Sequence, residues 1–432
     1  MVEARRASTR WATRVIPFVL AGFVGFASYV VVKRICLDFF LDRQQQSGTA
    51  VAFLVVYSVF LFLALVSYAR VWAEIQRHPG AVPLGPNALN QRKPKKKGRR
   101  KSRAHREDDI EAKAYDSRPD SNPDSPGLEA FYSRDVFVCK EDGLPRWCST
   151  CCNWKPDRAH HCSELERCVL KMDHFCPWVG GIVGETSFKF FIQFTFYAAI
   201  YWAVVIIAAA YGLSSSINSG AGVDGFFIAA LAIGAFFELF TFTMTGTAVR
   251  YICINLTNVD YLKSKVVVHY LALRVPRGTP PGHNYGVVTY PLQELSASAP
   301  SPQLSGQTIT DEHPASARDQ LAKRTFAIIK TEMGENPWDL GPYRNWKSIM
   351  GSNIIDWLLP FNPSPCSDGG NSESLYELGP LYPKLRARYN LPDISDEATV
   401  ISSGDEMKEK KKPRQEEEDQ TGTNDDTQAS LE

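Results

Sequence analysis

At 432 residues and a formal net charge of +1, the chain is long enough for two or three soluble domains, yet it carries no global field to attract nucleic acid. Its ten cysteines are too few and too unevenly spread for a secreted disulfide scaffold. Six of them fall between Cys148 and Cys176 with His160, His161 and His174 among them, the pattern of metal-binding or reactive thiols in a reducing compartment, so that stretch is expected in the cytosol.

The first two strongly apolar runs, residues 15–32 and 49–69, are each long enough to cross a hydrocarbon core of about 30 Å. Arg5, Arg6, Arg10 and Arg14 precede the first run, as they would a signal peptide. The run exceeds the usual apolar length of such peptides, no small-x-small site follows, and Lys33 and Arg34 close it, which favours a retained anchor. Behind the second run comes a basic stretch: ten of the fifteen residues 92–106 are Lys or Arg, followed at once by Glu107, Asp108 and Asp109. Next to a membrane such a run either stays a solvated linker or binds anionic lipid, at about 1 kcal/mol per basic residue.

The chemistry concentrates in residues 147–178. Cys148 and Cys151 form a Cys-x-x-Cys knuckle, and Cys162 and Cys168 with His160 or His161 are able to complete a tetrahedral zinc site. Spacing alone leaves the four ligands open, with Cys152 the rival of Cys151. A structural zinc would supply folding free energy that so few apolar residues do not. Asp173, His174 and Cys176 make a second constellation, in which a carboxylate orients an imidazole that takes the proton of a thiol nucleophile. Three such residues in four positions are weak evidence by themselves. Position strengthens them, because Cys176 lies 14 residues before Phe190, where the third apolar run begins. A nucleophile there, at the mouth of a helix bundle, suits a lipid substrate whose chain is buried while its polar carrier stays in water.

The third and fourth runs are residues 190–210 and 226–248. Glu238 sits near the middle of the fourth, as a functional group or as polar glue between helices, with Thr241, Thr243 and Thr245 near it. Basic residues mark the cytosolic side of spans. Arg70 and Arg77 follow the second run and Arg250, Lys263 and Lys265 the fourth, while residues 211–225 contain none. Lys33, Arg34 and Arg43 in the first loop are partly offset by Asp38 and Asp42. The predicted topology has both termini and the large central loop in the cytosol. Residues 277–316 and the charged tail after Asp393 read as disordered.

The cysteine-rich stretch resembles the DHHC-type protein S-acyltransferases, and among them divergent fungal members. The matching residues, within 148–191, are the Cys-x-x-Cys knuckle, Lys155-Pro156 with Arg158, His161-Cys162, Arg167-Cys168, Met172-Asp173-His174, Cys176-Pro177-Trp178 and Val183-Gly184. Weaker echoes of the family are His78-Pro79-Gly80, the Asn255, Thr257 and Asp260 set after the fourth run, and Asn336 to Gly341 with Asn345-Trp346.

The resemblance implies an α-helical polytopic membrane protein with four transmembrane helices and a small cytosolic zinc-binding cysteine-rich domain between spans two and three. The expected layout is a cytosolic N-terminus (1–14), two spans (15–69), a polybasic linker (70–130), the cysteine-rich catalytic domain (131–189), two further spans (190–248), a cytosolic C-terminal region (249–360) and a largely disordered tail (361–432). The family's catalytic residues map to Asp173, His174 and Cys176. Its first zinc set maps to Cys148, Cys151, His161 and Cys168, all present. Its second set would need Cys162 with positions 165, 175 and 182, which here are Leu165, Phe175 and Ile182. An apolar cluster is expected in place of that metal, leaving about one zinc per chain. Ser187 replaces an asparagine of the family. The implied partners are acyl-CoA, cysteine-containing membrane-associated proteins and the bilayer, with no nucleic acid. Lys155, Arg158, Arg167, Lys171 and Lys189 are candidates to hold CoA phosphates. The rival from another class is a non-catalytic membrane adaptor that uses the zinc module to recruit proteins, and a transporter resting on Glu238 comes third.

Overall fold

A computed structural model describes residues 2–85, 88, 126–264, 268–290, 323–368 and 372–394. The basic run 92–106, Lys265, residues 291–316 and the tail beyond 394 lie outside the described residues.

Four helices are long and apolar enough to cross a membrane. The first is α1 (Val2–Ser28), continued without a break by a π-helical stretch (Tyr29–Arg43), and α2 (Ser47–Arg77) follows after a turn in which Gln45 takes a left-handed conformation. The other two are α4 (Phe188–Asn218) and α5 (Gly225–Cys253), after the short helix α3 (Pro126–Tyr132). All four outrun their apolar cores. At 1.5 Å per residue, the 31 residues of α2 reach about 46 Å, well over the thickness of a hydrocarbon layer. Nothing breaks α2 before Pro79, so the helix carries Arg70 and Arg77 beyond the greasy segment.

The third span is the hub. Some 61% of its apolar window is buried inside the protein, against 17–28% for the other three, which turn most of their apolar residues outward. Tyr201, Trp202 and Val205 of α4 pack with Tyr57 of α2 and with Phe227 and Phe237 of α5. Small residues allow the close approach of α4 to α5, for a Cβ at Gly212 would stand 3.0 Å from the Phe227 ring.

Outside the bundle, the cysteine-rich segment folds as three two-stranded hairpins: β2 (Arg146–Cys148) with β3 (Asn153–Lys155), β4 (His160–Cys162) with β5 (Arg167–Val169), and β6 (His174–Cys176) with β7 (Gly181–Val183). Before them runs β1 (Val136–Cys139), and this strand departs from the expected layout. It pairs antiparallel with β8 (Tyr270–Val275), in a sheet completed by β9 (Gly286–Tyr290) and β10 (Arg324–Lys330) in the order β1-β8-β10-β9. The catalytic-domain segment and the C-terminal region, expected as separate pieces, therefore share one sheet, with Phe137, Ala272 and Phe326 in its core. Strand β9 also corrects the expectation of disorder over 277–316, since residues 286–290 are paired.

Helix α6 (Asn258–Ser264) follows the fourth span, and α7 (Pro342–Met350), α8 (Ile354–Leu358) and α9 (Leu381–Arg388) come after the sheet. The largely disordered tail expected from residue 361 is corrected up to residue 394. Leu385 is fully buried, and with Tyr376 and Trp338 it covers the sheet face formed by Val136, Val138, Leu271 and Leu273. The averaged composition of the tail hid these apolar residues.

Candidate functional site

Strand alternation places the first pieces of the site. In the β6–β7 hairpin His174 pairs with Val183 and Cys176 with Gly181, so His174 and Cys176 project from one face and Phe175 from the other. The carboxylate of Asp173 lies 2.6 Å from His174 Nδ1, and Cys176 acts on the same imidazole, raising its proton affinity. With Nδ1 taken by the carboxylate, Nε2 is the ring nitrogen left for sulfur. Asp173 is itself held: its Oδ1 accepts from the backbone N–H of Asn258, at 2.8 Å, at the start of α6. Burial lowers the pKa of His174, but the bonds to Asp173 and Cys176 outweigh it and raise the imidazole from 6.5 to about 9. The arrangement is that of a nucleophile, a base and an orienting carboxylate.

Cys176 is 7% exposed and opens onto a cavity of about 190 Å³ inside the helix bundle. Its walls are almost wholly apolar and include Leu20, Val24, Trp178, Phe191, Phe194 and Phe237. Phe191 and Tyr201 both line it, ten residues apart on α4 and therefore about 15 Å apart along the axis. At the Tyr201 end a polar chain crosses the bundle. Tyr201 Oη lies 3.2 Å from Tyr57 Oη, which lies 2.6 Å from Ser28 Oγ. Composition gave no hint of this cap, since each member sits alone in a different greasy run.

A second group gathers four sulfur and nitrogen donors. One ligand atom each of Cys148, Cys151, His161 and Cys168 falls within 4.8 Å of the others, and His161 Nδ1 stands 3.6 Å from Cys148 Sγ and 3.4 Å from Cys151 Sγ. Tetrahedral zinc with bonds near 2.3 Å needs ligand atoms about 3.8 Å apart, so the set fits that ion. A bond from Cys168 pulls the Cys148 thiol down to about 4, while Cys168 is pushed up, as in a crowded array of thiols sharing too few protons. Cys152 and His160, the alternatives to Cys151 and His161, lie apart from this group. Cys152 turns away through a left-handed backbone and donates to Ser149 O. His160, on the opposite face of β4 from His161, lies against Asp260 and Lys263.

The second set does not converge on a metal centre. Cys162, Val169 and Ile182 are buried together with Met172 and Phe175 half-buried against them, and Leu165 lies exposed beside Phe175 and Ile182. Ser187 has a plain local role: its Oγ accepts from Gly184 N–H and donates to Ile182 O, tying β7 to the start of α4.

Three of the five basic residues nominated for CoA phosphates are withdrawn from solvent, which corrects that expectation. Arg158, 1% exposed, is held by Asp260 at 2.7 Å and by Asn255 Oδ1 and O, above the Trp338 ring. Lys171 is buried and donates to Cys366 Sγ at 3.3 Å, and Lys189 is wholly buried. Arg167 turns to Val82 O, which leaves Lys155 and Arg167 partly exposed. Two of the three weaker echoes meet around Arg158, while His78 O and Gly80 O accept from Thr186 Oγ1 and Leu170 N–H. Asn255 also donates to Trp338 O, and Asn336 and Asn345 donate to carbonyls at the end of α5. Breaking a buried ion pair on one side strands a charge, at about 3–5 kcal/mol. Arg158→Ala is therefore expected to lower the detergent melting temperature strongly, and Asp260→Ala by a similar amount. A double variant no worse than either single one in the same melts would show that the pair acts as a unit.

Residues 141–265 match the sequence profile of the DHHC palmitoyltransferases. Palmitoyltransferase pfa5 of Aspergillus fumigatus is 38% identical over 431 residues, covering 91% of this chain and 94% of that protein. The chain belongs to the DHHC palmitoyltransferase family. Palmitoyltransferase pfa5 of Emericella nidulans is 37% identical over 438 residues, covering 90% of this chain and 88% of that protein. The likeness to human palmitoyltransferase ZDHHC3 is narrower, 38% over 128 residues, covering 27% of this chain and 42% of that one. Family membership, four spans and a cysteine-rich module between the second and third agree with the expectation drawn from residues 148–191.

Proposed function

We propose that this chain is a protein S-acyltransferase that takes a long-chain acyl group from acyl-CoA onto Cys176 and passes it to cysteine thiols of membrane-associated proteins. The observation that carries the reading is a single one: a thiol on the same strand face as an imidazole that a carboxylate orients stands at the mouth of an apolar cavity running into the bundle.

In the first half-reaction His174 Nε2 takes the Cys176 proton while Asp173 stabilises the imidazolium. The sulfur attacks the thioester carbonyl of acyl-CoA, the carbon–sulfur bond to CoA breaks, and the imidazolium returns its proton to the CoA thiolate. In the second half a substrate thiol gives its proton to His174, attacks the Cys176 thioester and leaves acylated, restoring the Cys176 thiol. The cavity holds the acyl chain throughout, so binding energy from methylene burial is available to both steps.

Cys148, Cys151, His161 and Cys168 would hold one zinc, whose contribution is to fold the hairpins rather than to enter the reaction. Both termini and the cysteine-rich module face the cytosol in this reading, because basic residues flank that end of the spans and acyl-CoA reaches the site from there. Lys155 and Arg167 remain the candidates for CoA phosphates.

Purified full-length chain incubated with labelled acyl-CoA should take up label that neutral hydroxylamine releases, and Cys176→Ser should take up none. A well-folded protein that never becomes labelled would support the membrane adaptor instead. The Tyr201 cap yields a second expectation, that Tyr201→Ala deepens the cavity and favours longer donors. Each further methylene buried contributes about 0.8 kcal/mol, about four-fold in relative rate constant. Competition between donors differing by two carbons measures the shift, and an unchanged ratio would remove the cap from chain selection.

A further inference from the structure

Of the ten cysteines eight are buried, and only Cys253 and Cys366 are half-buried. Cys366 stands in the short turn Pro365–Asp368, which the proposed reaction does not use. Its sulfur faces an amine: Lys171 Nζ lies 3.3 Å from Cys366 Sγ, although 195 positions separate the two residues. A thiol beside a cation gains thiolate character, the form that oxidants attack. Both partners are held in place. Lys171 occupies a left-handed turn between β5 and β6, and a Cβ at Gly184 would come within 3.1 Å of Leu170 O, so the chain after β7 packs closely on that turn. The turn of Cys366 is pinned by Ser364, which is buried and donates to Ile349 O of α7 at 2.9 Å.

The charges around the pair leave the sulfur facing the amine. Glu185, the carboxylate that attracts Lys171, accepts from Tyr376 Oη, and burial pushes its pKa up. Arg158 is spent on Asp260. The Tyr376 ring lies 5.5 Å from Lys171 Nζ. Lys171 is 7% exposed, and burial lowers its pKa, so the neutral, nucleophilic amine is within easier reach than on a surface lysine. Beside the pair lies a cavity of about 10 Å³, lined also by Gly184, Phe188 and Thr257, with room for about one water.

We infer that Lys171 and Cys366 are an oxidant-responsive pair, which hydrogen peroxide converts to a covalent nitrogen–sulfur crosslink. In the first step the Cys366 sulfur attacks one peroxide oxygen, the oxygen–oxygen bond breaks, and the second oxygen leaves as water with the thiol proton. Sulfur is oxidised by two electrons to a sulfenic acid, and the peroxide is reduced. In the second step the Lys171 amine attacks that sulfur, the sulfur–oxygen bond breaks, and the hydroxyl leaves with an amine proton as a second water. The product is a sulfenamide that thiols reduce back to the free pair. The bridge fastens the C-terminal turn to the turn that leads into the β6–β7 hairpin of Cys176.

Full-length protein in detergent, handled without acyl-CoA, tests this. After brief treatment with hydrogen peroxide, proteolysis and mass spectrometry should find the peptides of Lys171 and Cys366 joined, lighter than their sum by a pair of hydrogen atoms. The joined species should be at least about ten-fold more abundant than in untreated protein and should vanish after dithiothreitol. Lys171→Arg keeps the cation, but a guanidinium supplies no neutral amine, so dimedone should trap Cys366 as its sulfenic acid with no crosslink. Cys366→Ser should lose both signals. Sulfenic or sulfinic acid at Cys366 of the parent chain with Lys171 left unlinked would overturn the proposal. A Cys366 that stays reduced while other cysteines react would overturn it as well. The readout needs no acyl transfer, so its failure and a failure of the proposed activity are distinguishable.

Discussion

Asp173→Asn is expected to lower the rate of Cys176 acylation by about 10⁴, the scale seen when a triad loses the carboxylate that orients its base. The physical reason is in the hydrogen bonds. Asp173 Oδ2 holds His174 Nδ1 at 2.6 Å, and with the Cys176 bond it lifts the imidazole to about 9 against burial. An asparagine removes the charge and presents its amide in either orientation, so the imidazole loses its fixed tautomer. The same substitution has a pH signature. Because the folded pKa of His174 lies above its free value, protonation stabilises the fold fully below about pH 6.5, and that contribution fades as pH rises through about 9. In Asp173→Asn the imidazole pKa should fall, so less stability is present in acid and its loss comes at lower pH. Melting temperatures from pH 6 to 10, with single-turnover acylation rates, measure both effects. A variant with normal acylation would show that the carboxylate does not orient the base.

The second large effect concerns metal. Purified chain should contain about one zinc, and Cys148→Ala or Cys168→Ala should abolish it together with the folded cysteine-rich module, since a structural zinc site supplies about 10–16 kcal/mol of apparent binding free energy to such folds. Cys162→Ala should keep the zinc and cost only a buried small side chain, because Cys162 packs with Val169 and Ile182 rather than with other ligands. Elemental analysis of the purified proteins decides. Two zinc ions in the parent chain, or loss of zinc on Cys162→Ala, would contradict the apolar replacement of the second centre. The converse experiment is sharper: Leu165→Cys, Phe175→His and Ile182→Cys introduced together beside Cys162 should recruit a further zinc.

Much of this was legible along the chain because the information is contiguous. Four apolar runs of membrane length declared four spans, since crossing a hydrocarbon core is a matter of uninterrupted length. The site trio declared itself in four adjacent positions, where strand alternation alone brings His174 and Cys176 to one face. The same alternation separates His160 from His161, yet spacing could not say which of the two turns to the sulfurs, because that depends on what packs against each face of β4.

Sequence by itself determined the membrane class and the family, and it singled out Asp173, His174 and Cys176 and the apolar Leu165, Phe175 and Ile182. Only the tertiary structure decided which charges are spent internally, as Arg158 is on Asp260, 102 positions away. It also joined β1 to a sheet made after the fourth span, assembled Ser28, Tyr57 and Tyr201 into a cavity cap, and folded residues 372–394 over that sheet. The division has a physical cause. Span length and short-range ligand spacing are fixed by covalent neighbours, whereas the burial of a charge or the closing of a cavity depends on partners that meet only when distant segments pack.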